Sequence, residues 1–390
     1  MKHDVENDYL VIQLEGRIDS ENATDIETDI HSLLEDNSSD YIIDAENLEY
    51  ISSAGLRVLL RLMKSDRAPL ILRNASPEVY EILDITGFTS LISVKRRIRK
   101  ISIAGCPEIG HGAIGKVYRI DPDTIVKVYN RNVSLESIET EQQRAKQAFL
   151  KGIPTAITFE IVRVGEQYGA VFELLKAENC NDMLVRSQER SESIIHDYVN
   201  LMKTVHHVVM EPGELPDCRD VYRDYLEQLS SVLPQNITDR IKSLICAMQE
   251  DLHAVHGDFH MKNVLFSDGE PMLIDMETLS TGNPVFDFAG LFVTYKAFNE
   301  DEPSNTEDFF GIGKELCDAL YYRILKLYLD TDNEVAVSKA EDQIRVLGHV
   351  RFLYLLNVLN IGRSDIRETR TKHSIEHLQS LLGRVACLEI

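Results

Sequence analysis

The sequence predicts a two-part molecule, in which a small α/β domain precedes a larger α+β domain with a β-rich small lobe and a mostly helical large lobe. Three observations support this fold class. Residues 1–95 alternate short apolar strands with helices, residues 106–176 show mainly strand patterns, and residues 177–390 show mainly helical periodicity. A chain of 390 residues is long enough for two or three domains, each with its own core.

The first domain, residues 1–95, is predicted from its regular alternation of elements. Strands are expected where apolar residues alternate or cluster between turn residues, and helices where they recur every three and four positions. The elements are a strand at 9–19, a helix at 22–34, a strand at 41–45, a helix through Leu56, Leu59, Leu60 and Met63, a strand at 70–72, a helix at 77–85 and a strand at 91–94. This order is typical of a small α/β fold.

Two segments of this domain resemble the STAS family of anti-sigma factor antagonists. Residues 15–20 resemble the family's first loop, and residues 50–56 resemble its switch segment, where a serine at a helix N-terminus is phosphorylated. The resemblance implies Ser53 as the phosphoacceptor. Ser52 stands where the family often has an aspartate, so Ser52 remains an alternative. The resemblance also implies an anti-sigma factor or a similar regulatory protein as a partner.

The chemistry of the switch segment fits a phosphorylation site or a simple helix cap. Free backbone N–H groups and the positive end of the helix dipole favour a phosphate at a helix N-terminus. The added charge would repel an acidic partner. The alternative is that Ser52 or Ser53 is the N-cap, whose side chain accepts a hydrogen bond from the backbone.

A basic run separates the two domains. Residues 95–100 are basic at every position except Ile98. We predict residues 96–105 as a linker. The basic run is then a solvated strand or a dock for an acidic partner domain, rather than a nucleic-acid site.

A glycine pattern opens the second domain, at Gly110, Gly112 and Gly115. Strand, turn and strand patterns follow it, whereas a dinucleotide-binding turn would require a helix. Val117 stands where a P-loop needs a hydroxyl side chain for magnesium. The pattern therefore predicts a glycine-rich hairpin over the phosphates of ATP.

The strands after the glycines carry the other residues predicted to bind ATP. Lys127 lies in the next strand, where a kinase carries the lysine that contacts the phosphates. A helix at 135–151 offers Glu139 or Glu141 as its partner, and we prefer Glu141. Two further strands complete a five-stranded small lobe, and the hinge after them, with Glu173 and Leu175, would bind adenine through its backbone.

The most informative segment contains Asp258, Asn263 and Asp275. Asp258 follows His-Gly, Asn263 comes five positions later, and Asp275 ends an apolar strand. A hairpin is predicted between Asn263 and Asp275, and it brings both side chains to the same end of two paired strands. Kinases use this order for a catalytic aspartate and two magnesium ligands.

This segment resembles the aminoglycoside phosphotransferase and choline kinase branch of the protein kinase fold. The loop reads His-Gly-Asp rather than His-Arg-Asp, and the metal aspartate is followed by Met-Glu rather than Phe-Gly. The resemblance implies ATP and Mg²⁺ as cofactors, Asp258 as catalytic residue, and His256 and Asp287 as structural support. It also implies a hydroxyl acceptor, such as an aminoglycoside, choline, homoserine or a sugar, and a small molecule rather than a protein.

Composition excludes several function classes. The formal net charge of −23 argues against nucleic-acid binding. The six cysteines show no paired spacing, which predicts a reduced, cytoplasmic protein. We expect no signal peptide and no membrane span, because no apolar run approaches the roughly 20 residues required.

Two functions from different classes remain open at this stage. The first is an active ATP-dependent phosphotransferase coupled to a STAS regulatory domain. The second is a non-catalytic regulator that switches partners through phosphorylation and senses nucleotide or ligand with its kinase-like domain. The complete set of Lys127, Asp258, Asn263 and Asp275 favours the first. A run of acidic residues at 217–227 would attract a cationic acceptor or form an ordinary helix surface.

Overall fold

The chain divides into two compact units, and the first of them is discontinuous in sequence. The first unit comprises Met1–Ser102 and Val162–Glu166, and the second comprises Ile103–Ile161 and Gln167–Ile390. The computed structural model describes residues 1–6, 9–35, 40–64, 70–112, 114–187, 189 and 191–390.

The first unit is built on a five-stranded sheet in sequential order, β1 to β5. The β1 strand, which the sequence did not predict, pairs antiparallel with β2, and the remaining neighbours pair in parallel. Helices connect the parallel strands, as such pairs require. The elements are β1 His3–Glu6, β2 Tyr9–Ile18, α1 Ala23–Glu35, β3 Tyr41–Ile51, α2 Ser53–Met63, β4 Ile71–Ala75, α3 Pro77–Ile85 and β5 Ser93–Arg96.

The core of this unit lies where the sheet meets its helices. Ile12, Ile43 and Leu72, one on each central strand, are fully buried. The α2 helix approaches the sheet closely at Gly55, where a Cβ atom would lie 2.6 Å from a side-chain atom of Ile51. The close approach fixes the start of α2 against the strands.

The segment predicted as a linker, residues 96–105, contains a strand. This strand, β6 at Arg99–Ile101, pairs in parallel with Val162–Val164. Arg99 and Lys100, the basic residues at the start of β6, are therefore part of a sheet. The pairing also explains why residues 162–166 group with the first unit.

The strand-rich part of the second unit contains the glycine-rich hairpin. The β7 and β8 strands pair antiparallel, β8 pairs with β9, and β9 pairs with β11. The elements are β7 Glu108–Gly112, β8 Gly115–Asp121, β9 Thr124–Tyr129, α4 Leu135–Leu150, β10 Thr158–Val164, which ends in the first unit, and β11 Gln167–Glu173.

The rest of the second unit is mainly helical, as predicted. A short β14–β15 hairpin interrupts the helices and pairs Val264 with Leu273. Among the described residues, no helix has both the length and the apolar character needed to cross a membrane. The elements are β12 Ala177–Asn179, α5 Cys180–Arg186, α6 Ser191–His206, α7 Cys218–Gln228, α8 Gln235–Ala247, β13 Ala254–Val255, β14 Val264–Ser267, β15 Glu270–Leu273, β16 Ser280–Thr281, α9 Val285–Phe292, α10 Phe298–Glu300, α11 Asn305–Phe310, α12 Lys314–Leu329, α13 Glu334–Asn357 and α14 Arg367–Leu381.

Candidate functional site

The loop between β13 and β14 is fixed by a buried aspartate. Both oxygens of Asp287 accept backbone hydrogen bonds, from the N–H of His256 at 2.9 Å and from the N–H of Gly257. His206 on α6 binds the same carboxylate at 2.8 Å. Burial alone would raise the pKa of Asp287, but the bonds from His206 and His256 hold that pKa below its ordinary value. Asp287 thus supports the loop as an anion.

Gly257 has a conformation that only glycine adopts easily. Its φ is +80°, and a Cβ atom there would lie 2.8 Å from the carbonyl oxygen of Thr278. The ring of His256, before it, accepts from the N–H of Asp258 at 3.3 Å and lies 3.2 Å from the carbonyl of Ile274. His256 and Asp287 therefore lie where structural support requires them.

Asp258 lies on this loop with about a third of its side chain exposed (35%). Its backbone carbonyl accepts from Nδ2 of Asn263 at 2.9 Å, and its Oδ2 lies 3.3 Å from the same nitrogen. Nε2 of His260 lies 3.5 Å from that oxygen. Oδ1 accepts from Nη2 of Arg351 at 3.3 Å. The structure therefore places Asn263 beside Asp258, at the start of the predicted hairpin.

Asp275 follows the other strand of the hairpin in a left-handed backbone conformation, with φ of +67°. Its Oδ1 atom is buried and has no hydrogen-bond partner among the described residues. A buried carboxylate oxygen without a donor is unfavourable unless a cation or donor reaches it. Nζ of Lys127 lies 3.6 Å from this oxygen.

Lys127 connects the strand-rich part of the unit to Asp275. Its Nζ atom lies 3.1 Å from Oε1 of Glu141, so the structure pairs the lysine with the preferred glutamate of α4. The hydroxyl of Tyr129 donates to the other oxygen of Glu141 at 2.9 Å. Burial lowers the pKa of Lys127, but the charges of Asp275 and Glu141 outweigh this and raise it. Lys127 is therefore a cation.

The three glycines of the hairpin differ in how much space a Cβ atom would have. A Cβ atom on Gly115 would lie 2.4 Å from the carbonyl oxygen of Val128, so Gly115 is required by strand packing. Gly110 has ordinary contact distances, and Gly112 has open space around it. None of the three has a positive φ, so a left-handed backbone conformation does not explain these glycines. Ala113 lies outside the described residues.

The predicted hinge follows β11. Glu173 is exposed and Leu175 is half-buried. The N–H of Leu174 between them already donates to the carbonyl of Asp123 at 2.8 Å. The N–H of Leu174 is therefore already engaged and is not free for an adenine contact.

Sequence reasoning missed several residues that contact the site. Glu277 is exposed, yet partial desolvation and the nearby charges of Asp275 and Glu141 raise its pKa. Arg144 on α4 donates to its backbone carbonyl. Glu277 lies two residues after Asp275, and this closeness in sequence was a usable signal. Arg351 and His206 lie far along the chain on helices, and no local pattern indicates them.

The acidic run on α7 forms an ordinary helix surface. Asp217 caps the helix and binds Arg219 at 2.5 Å, and Asp220 binds Arg223. Arginines therefore offset two of the four carboxylates in this run, Asp217 and Asp220.

The start of α2 distinguishes the two serines of the first unit. Oγ of Ser52 accepts from the N–H groups of Ala54 at 3.2 Å and Gly55 at 3.4 Å, so Ser52 is the N-cap. Ser53 is the first residue of the helix and is exposed. Its hydroxyl is thus the more accessible of the two.

Two family models match the chain. The model of the phosphotransferase enzyme family matches residues 105–315, and the model of the STAS domain matches residues 2–101. BtrV from Bordetella bronchiseptica, which carries the name of an anti-sigma factor antagonist, is 35% identical over 22% of this chain and 76% of its own. A STAS-domain containing protein from Pseudomonas aeruginosa is 33% identical over 22% of this chain and 86% of its own. These matches confirm the predicted fold class.

Solved structures give similar chains at low identity. The aminoglycoside phosphotransferase APH(2'')-Ib bound to ADP is 16% identical, with a TM-score of 0.49 over 71% of this chain and 94% of its own. A choline/ethanolamine kinase family protein from Mesorhizobium loti is 16% identical, with a TM-score of 0.45 over 71% of this chain and 87% of its own.

Proposed function

Because the chain belongs to the phosphotransferase enzyme family and carries an N-terminal STAS domain, we propose that it transfers the γ-phosphate of ATP to a hydroxyl acceptor under STAS-dependent regulation. The observation that carries the proposal is the contact of Lys127 with both Glu141 and Asp275. It assembles a phosphate-binding cation and a metal-binding carboxylate in one place. Fold alone does not name a substrate, so the acceptor is proposed only as a hydroxyl-bearing small molecule.

The residues present fit a magnesium ion held on ATP phosphates. Mg²⁺ is usually bound by one or two carboxylates, with phosphate and water oxygens supplying the remaining ligands. The buried Oδ1 of Asp275, which accepts no hydrogen bond from the described residues, suits this role, and Asn263, just before the neighbouring β14 strand, offers an amide oxygen. Among the described residues, no group of three or more histidine, cysteine or acidic side chains could hold a metal alone. Bound Mg²⁺ would neutralise phosphate charge during transfer.

The proposed mechanism assigns each remaining step to this chain. Asp258 accepts the proton of the acceptor hydroxyl as the hydroxyl oxygen forms its bond to the γ-phosphorus. The bond between that phosphorus and the oxygen bridging to the β-phosphate breaks, and ADP leaves with the electron pair. Lys127 compensates the charge on the α- and β-phosphates, and Glu141 with Tyr129 fixes its position.

Turnover of Mg-ATP by the full chain tests this function. We expect magnesium-dependent ADP release that rises with the correct acceptor in a panel of sugars, choline, homoserine and aminoglycosides. Asp258→Asn should lower turnover by about 10²–10⁴-fold while Mg-ATP affinity stays nearly unchanged. Asp275→Ala should remove the magnesium-dependent part of ATP binding, read as a thermal shift. Binding without turnover in the unmodified chain would instead support the non-catalytic regulator.

The STAS domain is proposed to act through Ser53. A phosphate on this exposed hydroxyl would lie at the N-terminus of α2, beside the cap made by Ser52. Its charge would then control binding of an anti-sigma factor or a similar regulator. Phosphopeptide mapping of the chain from its native cells tests the assignment. We expect phosphate on Ser53, and phosphate confined to Ser52 would contradict it.

A further inference from the structure

A buried arginine from a distant helix reaches the catalytic loop. Arg351 on α13 lies 93 residues after Asp258, and its side chain is only 12% exposed. Its Nη1 atom donates to the carbonyl of Gly257, and its Nη2 atom donates to Oδ1 of Asp258 at 3.3 Å. One guanidinium therefore binds both the backbone and the side chain of adjacent loop residues.

Neighbouring elements leave room for this contact. A Cβ atom on Gly290 of α9 would lie 3.1 Å from the carbonyl oxygen of Gly257 and 3.5 Å from Nη1 of Arg351. Burial lowers the pKa of Arg351, but the charge of Asp258 raises it, and the net direction is upward. Arg351 is therefore a permanent cation beside Asp258, at a place where α9 carries no side chain.

The loop cannot carry such an arginine at position 257 itself. Kinases with a His-Arg-Asp loop have one directly before the catalytic aspartate. Here that position is Gly257, where any side chain would meet the backbone of Thr278. The guanidinium beside Asp258 comes from α13 instead.

We propose that Arg351 is a positioning residue for Asp258, and this rests on the proposed phosphotransferase function. Arg351 fixes Oδ1, while Asn263 and His260 lie near Oδ2, so the carboxylate is held in one orientation towards the acceptor hydroxyl. Without the guanidinium, the carboxylate loses the contact that holds Oδ1, and productive geometry becomes rarer. Nucleotide binding is assigned to Lys127 and Asp275, so it does not depend on the contact between Arg351 and Asp258.

Variants of the full chain separate positioning from general structural support. Arg351→Met should lower ATP turnover at least tenfold with Mg-ATP affinity unchanged, and Arg351→Lys should restore part of it because one contact survives. Arg345→Met is the matched control, since Arg345 lies on the same helix and contacts His377 and Phe292 instead. Turnover is measured well below the melting temperature of each variant. Full turnover by Arg351→Met, or equal losses in the control, would overturn the proposal.

A double-mutant cycle tests whether Arg351 acts through Asp258. If it does, Arg351→Met should lower the residual turnover of Asp258→Asn less than twofold, because coupled residues are not additive. A full additional tenfold loss would show an independent role and would overturn the proposal. Gly290→Ala keeps both residues and should also reduce turnover, because its Cβ atom crowds the contact.

A crystal structure of Arg351→Met gives a readout that needs no activity. We expect the Asp258 carboxylate to adopt a new rotamer in that variant. An unchanged rotamer would overturn the positioning role. If the unmodified chain shows no turnover but the rotamer changes, then the proposed function fails and the positioning contact stands.

Discussion

The catalytic loop and the glycine-rich hairpin belong to the same proposed site, but they are held in different ways. Side chains from distant parts of the chain bind the loop backbone, among them Asp287, Tyr198, Thr278, Tyr295 and Arg351. In the described part of the hairpin, side-chain hydrogen bonds stay local, such as the exposed pair of Lys116 and Glu108. The group proposed to act on the acceptor is thus fixed by the fold, whereas the hairpin proposed to cover the nucleotide is held mainly by its strand pairing.

The largest effect is expected where the loop is fixed. Asp287→Ala leaves the N–H groups of His256 and Gly257 and the ring of His206 without their acceptor. We expect the free energy of unfolding to fall by about 3–5 kcal/mol, as for other broken buried pairs. Urea unfolding measures this. Asp121→Ala in the hairpin removes one exposed bond and should cost no more than about 0.5 kcal/mol. Equal losses of unfolding free energy in Asp287→Ala and Asp121→Ala would contradict the difference between the loop and the hairpin.

Two glycines test the comparison inside the hairpin. Gly115→Ala should lower the free energy of unfolding by about 1–3 kcal/mol, because the new methyl group meets the carbonyl of Val128. Gly112→Ala, with open space around it, should change it by less than about 0.5 kcal/mol. Thermal or urea unfolding of both variants measures the change in the free energy of unfolding. A Gly112→Ala variant as unstable as Gly115→Ala would show that the hairpin is also packed at its turn.

Acid should destabilise the helix that supports the loop. Burial, and then the charges of His377 and Arg345, hold the pKa of His349 on α13 well below its ordinary value. Below about pH 6.5 the unfolded chain binds a proton that the folded chain excludes, so stability falls as pH falls. The slope from this group is about 1.4 kcal/mol per pH unit. Urea unfolding between pH 7 and pH 5 should be less pH-dependent in His349→Leu. An unchanged slope would contradict this assignment.

The smallest effect is expected at the lysine pair. Tyr129→Phe removes the hydrogen bond to Glu141, while Lys127 still holds the other oxygen of that carboxylate. We expect a loss of about 1 kcal/mol in the free energy of unfolding. Isothermal titration should show slightly weaker Mg-ATP binding than in the unmodified chain. Tyr118→Phe on the neighbouring β8 strand is the control. Equal losses of stability and Mg-ATP affinity in Tyr118→Phe and Tyr129→Phe would contradict the role proposed for Tyr129.

The sequence predicted the parts of the site that are close together in the chain. Asp258, Asn263 and Asp275 lie within one loop and hairpin, so local spacing was enough to bring them together. The pairing of Lys127 with Glu141 followed from helix periodicity. Arg351 could not be predicted, because its contact depends on how α13 packs on α9. The choice between Ser52 and Ser53 also needed the observed cap geometry.

The boundary between the domains was less predictable than the domains themselves. The basic composition of residues 95–100 is typical of a solvated linker. The partner of β6, Val162–Val164, lies some sixty positions further along the chain, and parallel pairing leaves no turn signal between them. Only the folded structure shows that these residues form a strand pair.

The pairing of β6 with Val162–Val164 has a consequence for modularity. A chain that ends at Ser102 would contain the STAS sequence but would lack residues 162–166, which belong to the same compact unit. Exchange of this domain by recombination at the apparent boundary would therefore remove the strand that pairs with β6. The two matched domains follow one another in the sequence, yet a single cut after Ser102 would divide the first compact unit.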